Sequence, residues 1–364
     1  MKARIIIWAL LIPAIFLVSF LTADYFLENN GKQSPKEIMR DIEVTYNNSS
    51  EMNNPTESTG VEESQEAILE PEIENRFLDG NWQKQAVIAA VIDNFSEARP
   101  LSGLDQAVIV YEVPVEADLT RLVGIFSYDF LPEKIGPIRS ARPYLAELAG
   151  EYKPLFIHAG GSSDFLSQLK SNKYRIYNLD EISANGIYFW RSQEREKPHN
   201  LYISKSLITK AVEDKKLTEA LQPNFTKWQF AESKEIEDGV NNLIIKINYR
   251  EPVVWQFDEE NENYLRFQNG DQFLDDKGEQ IKARNIVIQK TEIKIIDEIG
   301  HRSVNLNGTG EALIFRDGKM ITGKWQYSDF DFRTKFYNTT GEEIKFLPGL
   351  TWIEVISNQH QIIY

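Results

Sequence analysis

The first pattern in the chain is an unbroken apolar run near its N-terminus. Residues 5–23 contain no charged side chain, and Lys2 and Arg4 precede them. About 20 apolar residues span a bilayer, and basic residues on the N-terminal side keep that end in the cytoplasm. The run predicts a single-pass transmembrane helix over 1–23, with the bulk of the chain extracytoplasmic. The alternative is a cleaved signal peptide ending near Ala23, which would make the protein secreted.

A polar, acidic stretch follows this apolar segment. Residues 41–75 contain no Lys or Arg, and Tyr46 is their only aromatic side chain. Such a composition cannot bury enough apolar surface to offset the entropy of ordering. The pattern predicts a disordered acidic linker over 24–80.

From residue 81 the pattern changes to short apolar runs that alternate with segments of helical periodicity. The strand candidates are 86–92, 107–113, 121–128 and 155–159. The helix candidates are 143–152 and 164–170. Mixed strands and helices are typical of layered domains, so 81–220 is predicted to be an α/β or α+β domain.

The last third of the chain has short β-rich segments separated by glycines. A helix candidate at 207–221 and a connecting segment at 221–240 precede it. The strand candidates are 243–249, 285–289, 311–315 and 351–356. We predict a smaller, mostly-β domain over 241–364. Its tryptophans, Trp255, Trp325 and Trp352, could form a sugar-binding surface or a small core.

The overall charge narrows the classes of partner. The formal net charge is −15, which disfavours nucleic acid and anionic lipid as main partners because both would be repelled. The chain has no cysteine, which excludes disulfides, thiolate metal sites and a lipid-modified cysteine. With only four histidines and no clear third ligand, we expect no metal and no cofactor.

The densest polar motif is GPIRSARP at 136–143, which carries Arg139, Ser140 and Arg142. Pro143 suits the first position of a helix, whose free N–H groups would then lie beside two guanidinium groups. This arrangement predicts a site for a phosphate or carboxylate. The alternative is that the arginines pair with carboxylates such as Glu112 or Glu116.

Two further motifs contain the histidines of the first domain. His158 ends a predicted strand and is followed by Gly160, Gly161 and Ser162, which lead into a predicted helix. Glycines allow close backbone approach to a ligand, and Ser162 could equally serve as a helix cap.

The second histidine motif is PHNLY at 198–202, which carries His199 and Asn200. If the fold brings His158 and His199 together, they could act as acid and base, with Asp93, Glu112 or Glu116 as a partner. Otherwise the histidines are structural. A pair of carboxylates could also indicate a glycosidase, but such pairs are too common in an acidic chain to identify one.

Several motifs resemble the YerB-like lipoproteins, which carry the paired N- and C-terminal parts of domain of unknown function 3048. The first part is resembled by VIDN at 91–94, ARP at 98–100, YE at 111–112, VE at 115–116, TR at 120–121, GPIRSARP, HAGGS at 158–162 and PHNLY. The second part is resembled by GTGEA at 308–312, GKW at 323–325 and LPGLTWI at 347–353.

The resemblance implies a protein of the cell envelope of a Gram-positive-type bacterium, on the side that faces the wall. It does not imply any particular enzymatic reaction. The chain departs from the family's lipoprotein pattern because it lacks an N-terminal cysteine, so a transmembrane anchor would replace the lipid. The motifs suggest one shared pocket. Its members would be Asp93, Glu112, Glu116, Arg121, Arg139, Arg142, His158 and His199.

These observations support three hypotheses for the function of the soluble region. The first is a binding module for an anionic wall component or an envelope protein partner, with the arginines as the anion site. The second is an envelope hydrolase or transferase that acts on a wall polymer. The third is a scaffold whose polar motifs form internal salt bridges.

Overall fold

A computed structural model describes residues 78–231, 240–241 and 244–364. All of these residues fall in one compact unit. The anchor predicted at 1–23 and nearly all of the linker predicted at 24–80 lie outside the described residues. Within the described residues, no helix is long and apolar enough to cross a membrane.

The first half of the described chain alternates strands and helices. Its strands are β1 (Val87–Asp93), β2 (Ile109–Pro114), β3 (Thr120–Ser127), β4 (Lys134–Ile135), β5 (Leu155–His158), β6 (Tyr177–Asp180), β7 (Trp190–Arg191) and β8 (Leu201–Ser204). Its α-helices are α1 (Pro143–Gly150), α2 (Ser163–Lys170) and α3 (Lys205–Asp214). The predicted mixture of strands and helices is confirmed here.

The second half consists of strands and turns. Its strands are β9 (Val240–Asn241), β10 (Ile244–Ile247), β11 (Val253–Asp258), β12 (Asn263–Gln268), β13 (Asp271–Gln272), β14 (Lys282–Ala283), β15 (Asn285–Thr291), β16 (Ile293–Ile295), β17 (Arg302–Val304), β18 (Thr309–Arg316), β19 (Lys319–Ser328), β20 (Arg333–Asn338), β21 (Thr351–Ser357) and β22 (Ile362–Ile363). The mostly-β C-terminal region is confirmed.

One eleven-stranded sheet contains strands from both halves. Its order is β20-β19-β18-β15-β21-β2-β3-β1-β5-β6, with β9 also paired to β19. Strand β21 lies between β15 and β2 and is parallel to both. The two halves of the sequence therefore share a sheet through the β2–β21 pair, which local sequence patterns did not indicate.

The large sheet is buried on both faces. In β1, Ile88, Ala90 and Ile92 belong to one apolar cluster, whereas Val87 and Val91 belong to the other. The first cluster also contains Trp255 and Trp352, and the second contains Trp325. These three tryptophans are core residues, so they do not form an exposed sugar-binding surface.

A buried ionic network lies on the first face, where β2 and β21 meet. Glu112 and Glu354 are partners in the register of these two strands, and both are fully buried. The guanidinium of Arg266, from β12, lies 2.9 Å from Oε2 of Glu112 and 3.3 Å from Oε1 of Glu354. One arginine thus joins both carboxylates to the second, six-stranded sheet, whose path is β13-β12-β11-β10-β22 with β14 also paired to β12.

Aromatic side chains enclose this network. The guanidinium carbon of Arg266 lies 4.5 Å from the ring centroid of Trp352 and 5.2 Å from that of Trp255. Indole Nε1 of Trp352 donates to Glu112, and that of Trp255 donates to Glu354. Burial, and then the charge of Glu112, raise the pKa of Glu354 well above its ordinary value.

We predict that Glu354 makes the free energy of unfolding depend on pH. Folded Glu354 holds its proton to higher pH than unfolded Glu354, so stability falls as pH rises from the ordinary value of 4.5 through the raised pKa. Urea unfolding of wild type and Glu354→Gln at about pH 5 and about pH 9 measures this effect. Between these two pH values the free energy of unfolding of wild type should fall by at least about 1.4 kcal/mol more than that of the variant. This difference corresponds to a shift of one pKa unit. Equal losses would contradict the prediction.

Candidate anion-binding site

The candidate site lies at the carboxyl edge of the parallel strands β1, β5 and β6. These strands end at Asp93, His158 and Asp180. The 136–142 segment crosses their ends, because Ile138 forms a bridge with Ile92 and Ala141 forms one with Gly161. Sheets of this kind commonly bind ligands at this edge.

Three arginines meet at this edge, and we call Arg121, Arg139 and Arg142 the arginine cluster. Arg121 is the register partner of Asp93, and its Nη1 donates to the carbonyl oxygen of Ser140 at 2.7 Å. Nε of Arg142 donates to Oε1 of Glu116 at 2.6 Å. Nε of Arg139 lies 3.0 Å from Oδ2 of Asp93 without making a hydrogen bond. Two of the three arginines therefore contact a carboxylate, and the third binds a backbone carbonyl oxygen.

The electrostatics of the cluster show an excess of positive charge. Burial, followed by the charges of Arg142 and Arg139, lowers the pKa of Arg121 to about 10. Burial acts to raise the pKa of Glu116, but the hydrogen bond and charge of Arg142 lower it overall. An added anion would relieve the repulsion among the arginines, and Arg–phosphate geometry suits such a ligand.

Helix α1 begins directly after Arg142. Pro143 occupies its first turn, and Arg142 is the N-cap residue without a side-chain cap. The carbonyl oxygen of Arg142 accepts hydrogen bonds from the backbone N–H groups of Leu145 and Ala146. The predicted helix start at Pro143 is thus observed, and it adds the positive end of a helix dipole to the cluster.

Asp93 also binds His199. Nδ1 of His199 lies 2.8 Å from Oδ2 of Asp93, and the imidazole stacks on Phe95 with ring centroids 5.3 Å apart. The backbone N–H of Phe95 donates to Oδ1 of Asp93. Within the described part of the chain, Nε2 of His199 has no hydrogen-bond partner, and the side chain is 17% exposed.

Asn200 holds the loop that carries His199. Its Nδ2 donates to the carbonyl oxygens of Ser192 and Arg195, and its Oδ1 accepts from Arg191. Asn200 is therefore bonded within its own loop, and none of these contacts reaches the arginine cluster.

His158 makes a separate set of contacts. It is fully buried, its Nδ1 donates to the carbonyl oxygen of Gly160, and its Nε2 lies 2.6 Å from Oδ1 of Asn178. Both ring nitrogens are thus engaged away from His199. The structure does not bring the two histidines together as an acid and base pair.

The glycines and serine after His158 serve the packing of this turn. A Cβ at Gly160 would lie 2.7 Å from Ile182, and one at Gly161 would lie 2.4 Å from Phe165. Ser162 caps α2 by accepting from the backbone N–H of Phe165. These contacts account for the motif through close packing and helix capping.

Glu112 lies on the opposite face of the sheet from Asp93. Residues two apart in a strand lie on the same face. Glu112 therefore shares a face with Val110 of the first apolar cluster, whereas Asp93 shares a face with Val91 of the second. The single pocket suggested by the sequence is therefore divided. The structure gathers Asp93, Glu116, Arg121, Arg139, Ser140, Arg142 and His199, and it places Glu112, His158 and Asn200 elsewhere.

The C-terminal half contributes two residues that sequence reasoning missed. Nε of Arg302 donates to the carbonyl oxygen of Val115, and Nε2 of His301 lies 3.7 Å from Oε1 of Glu116. Both residues lie at or beside the β16–β17 hairpin. No local pattern could identify them, because 187 positions separate Arg302 from Val115.

We predict that His158 stabilises the fold. His158→Ala removes two buried polar contacts and leaves a cavity, so the free energy of unfolding should fall by about 2–4 kcal/mol. Urea denaturation checks this value, with His360→Ala as a control that should cost less than about 1 kcal/mol. A His158→Ala variant as stable as wild type would contradict the structural role.

Comparison with known proteins gives one family along most of the chain. The model of the "Protein of unknown function (DUF3048) N-terminal domain" matches residues 77–218, and that of the corresponding C-terminal domain matches residues 244–353. A relative from Bacillus subtilis (strain 168), named "Putative lipoprotein YerB", is 32% identical over 276 residues. The match covers 74% of this chain and 80% of that protein.

The fold agrees with this family. The crystal structure of the YerB protein from Bacillus subtilis is similar with a TM-score of 0.69 and 28% sequence identity. The similarity covers 79% of this chain and 96% of the solved chain. The chain therefore belongs to the DUF3048 family, together with YerB.

Proposed function

We propose that this protein acts outside the cytoplasm, held to the membrane by its N-terminal segment, and binds a phosphorylated anionic component of the cell wall. The apolar run at 5–23, with Lys2 and Arg4 before it, supports a membrane anchor and an extracytoplasmic position. The lipoprotein name of the related YerB supports the same side of the membrane.

The unsatisfied guanidinium of Arg139 carries the proposal. Its Nε contacts Asp93, yet within the described residues neither terminal nitrogen has a hydrogen-bond partner, and the side chain is 22% exposed. An arginine that serves only as an internal salt bridge would direct its planar fork at a carboxylate. Here the fork is left open, beside two other arginines.

The surroundings favour an anion over a neutral sugar. The protein carries a net charge of −15, so the local excess of positive charge at the arginine cluster contrasts with the negative charge of the whole chain. The positive end of α1 adds to this excess. Phosphate groups suit such a site, because each can accept two parallel hydrogen bonds from an arginine.

We predict that glycerol 3-phosphate raises the melting temperature of the full-length protein in mild detergent, whereas glycerol does not. A ligand at 100 times its Kd adds about 2.7 kcal/mol of stability, enough for a shift of several degrees. The shift should shrink at high salt, since charge dominates the interaction.

Arg139→Ala should remove the shift, and Arg284→Ala is the matched control. Arg284 also pairs with a carboxylate, Glu262, but it lies outside the arginine cluster. Equal shifts in wild type and Arg139→Ala would overturn the proposed site. No shift with glycerol 3-phosphate or inorganic phosphate would reject a phosphate ligand and leave an envelope protein as the remaining candidate partner.

A further inference from the structure

We infer that the site is catalytic, with His199 as general base in the hydrolysis of a phosphodiester held by the arginine cluster. This inference rests on the proposed function, because the cluster must first bind the phosphate. It adds a reaction to that binding, through the contact between Asp93 and His199.

The contact with Asp93 fixes which nitrogen of His199 can accept a proton. A carboxylate only accepts hydrogen bonds, so Nδ1 of the neutral imidazole carries the proton that it donates to Oδ2 of Asp93. Nε2 then carries the lone pair and can act as a base. Stacking on Phe95 holds the ring, with an interplanar angle of 12°.

Two other histidines show how a different environment removes this capacity. His158 is fully buried, and both of its ring nitrogens have partners. His301 also binds an aspartate, Asp297, through Nδ1, but its Nε2 lies 3.7 Å from the carboxylate of Glu116. His199 combines an oriented Nδ1 with an Nε2 that has no hydrogen-bond partner within the described residues.

The base and the anion site are adjacent. Oδ2 of Asp93 lies 2.8 Å from Nδ1 of His199 and 3.0 Å from Nε of Arg139. A phosphate on the open fork of Arg139 would therefore lie near the imidazole. This arrangement can place a water molecule between Nε2 and the phosphorus atom, as general-base catalysis requires.

The charge of the site selects the substrate class. Acyl transfer uses donors aimed at one developing oxyanion, whereas phosphoryl transfer spreads negative charge over several oxygens. Three arginines match the second case. Within the described residues no hydroxyl is bonded to Nε2, so water is the nucleophile.

The reaction is a hydrolysis that balances without a further reactant. Nε2 of His199 takes a proton from water as the water oxygen forms a bond to phosphorus. The bond from phosphorus to one ester oxygen breaks, and that oxygen leaves as an alkoxide that takes a proton from solvent. The products are a phosphomonoester and an alcohol, and the imidazolium returns its proton to solvent.

The test uses full-length protein and bis(p-nitrophenyl) phosphate, whose p-nitrophenolate is a good leaving group and needs no protonation. His199→Gln should lower kcat about 100-fold or more, which is the scale of general-base catalysis. The wild-type rate should depend on pH, and the variant should lose this dependence.

Asp93→Asn tests the positioning residue. It should lower kcat with little change in KM and should alter the pH profile of the rate, effects that a loss of folding alone would not produce. His360→Gln is the control and should match wild type, because His360 packs on Tyr249 away from the arginine cluster.

The outcomes separate catalysis from binding when glycerol 3-phosphate stabilisation is measured on the same samples. Loss of turnover in His199→Gln, with stabilisation retained, supports the inference. Stabilisation of wild type without turnover above His199→Gln overturns the catalytic role and leaves the binding site standing. Absence of both overturns the binding proposal and the catalytic inference together.

Discussion

The parallel pairing of β2 with β21 is the constraint on which the rest of the structure depends. It joins segments 240 positions apart in the sequence, as the contact between Glu112 and Trp352 shows. On the first face of the sheet, Arg266 pairs with both of the glutamates that this pairing brings side by side. Without that arginine, two carboxylates would be buried together, which is strongly destabilising.

The same network supports the arginine cluster from the other side of the sheet. Oε1 of Glu112 accepts hydrogen bonds from Asn94 and Thr120. These residues directly adjoin Asp93 and Arg121, whose side chains belong to the site. The alternation of side chains along a strand thus places a buried ionic network on one face and an open, cation-rich site on the other. Rigid support of this kind keeps charged side chains where a ligand can use them.

Much of this arrangement could be read from the sequence, because its signals are local. The buried run at 86–92 corresponds to β1, and Pro143 begins α1 as the proline rule indicates. The contact of His199 with Asp93 could be proposed from polar motifs, although the same motifs favoured His158 equally. The buried position of His158 depends on Phe165 and Asn178, which only the folded chain brings to it.

What the sequence could not indicate depends on long-range pairing. The polar motifs group Glu112 with Asp93, but strand register sends their side chains to opposite faces. Arg302 and His301 reach Val115 and Glu116 from the second half of the chain. Local periodicity reports which face of a strand is buried, and it carries no information about which distant strand lies beside it.

Anomalous diffraction from crystals soaked with arsenate, a phosphate analogue, tests the central claim most directly. The account predicts an arsenic peak within hydrogen-bond distance of the terminal nitrogens of Arg139, close to the start of α1, and no such peak in Arg139→Ala crystals. A fully occupied arsenate elsewhere on the protein, with this position empty, would contradict the assignment of the arginine cluster as the ligand site.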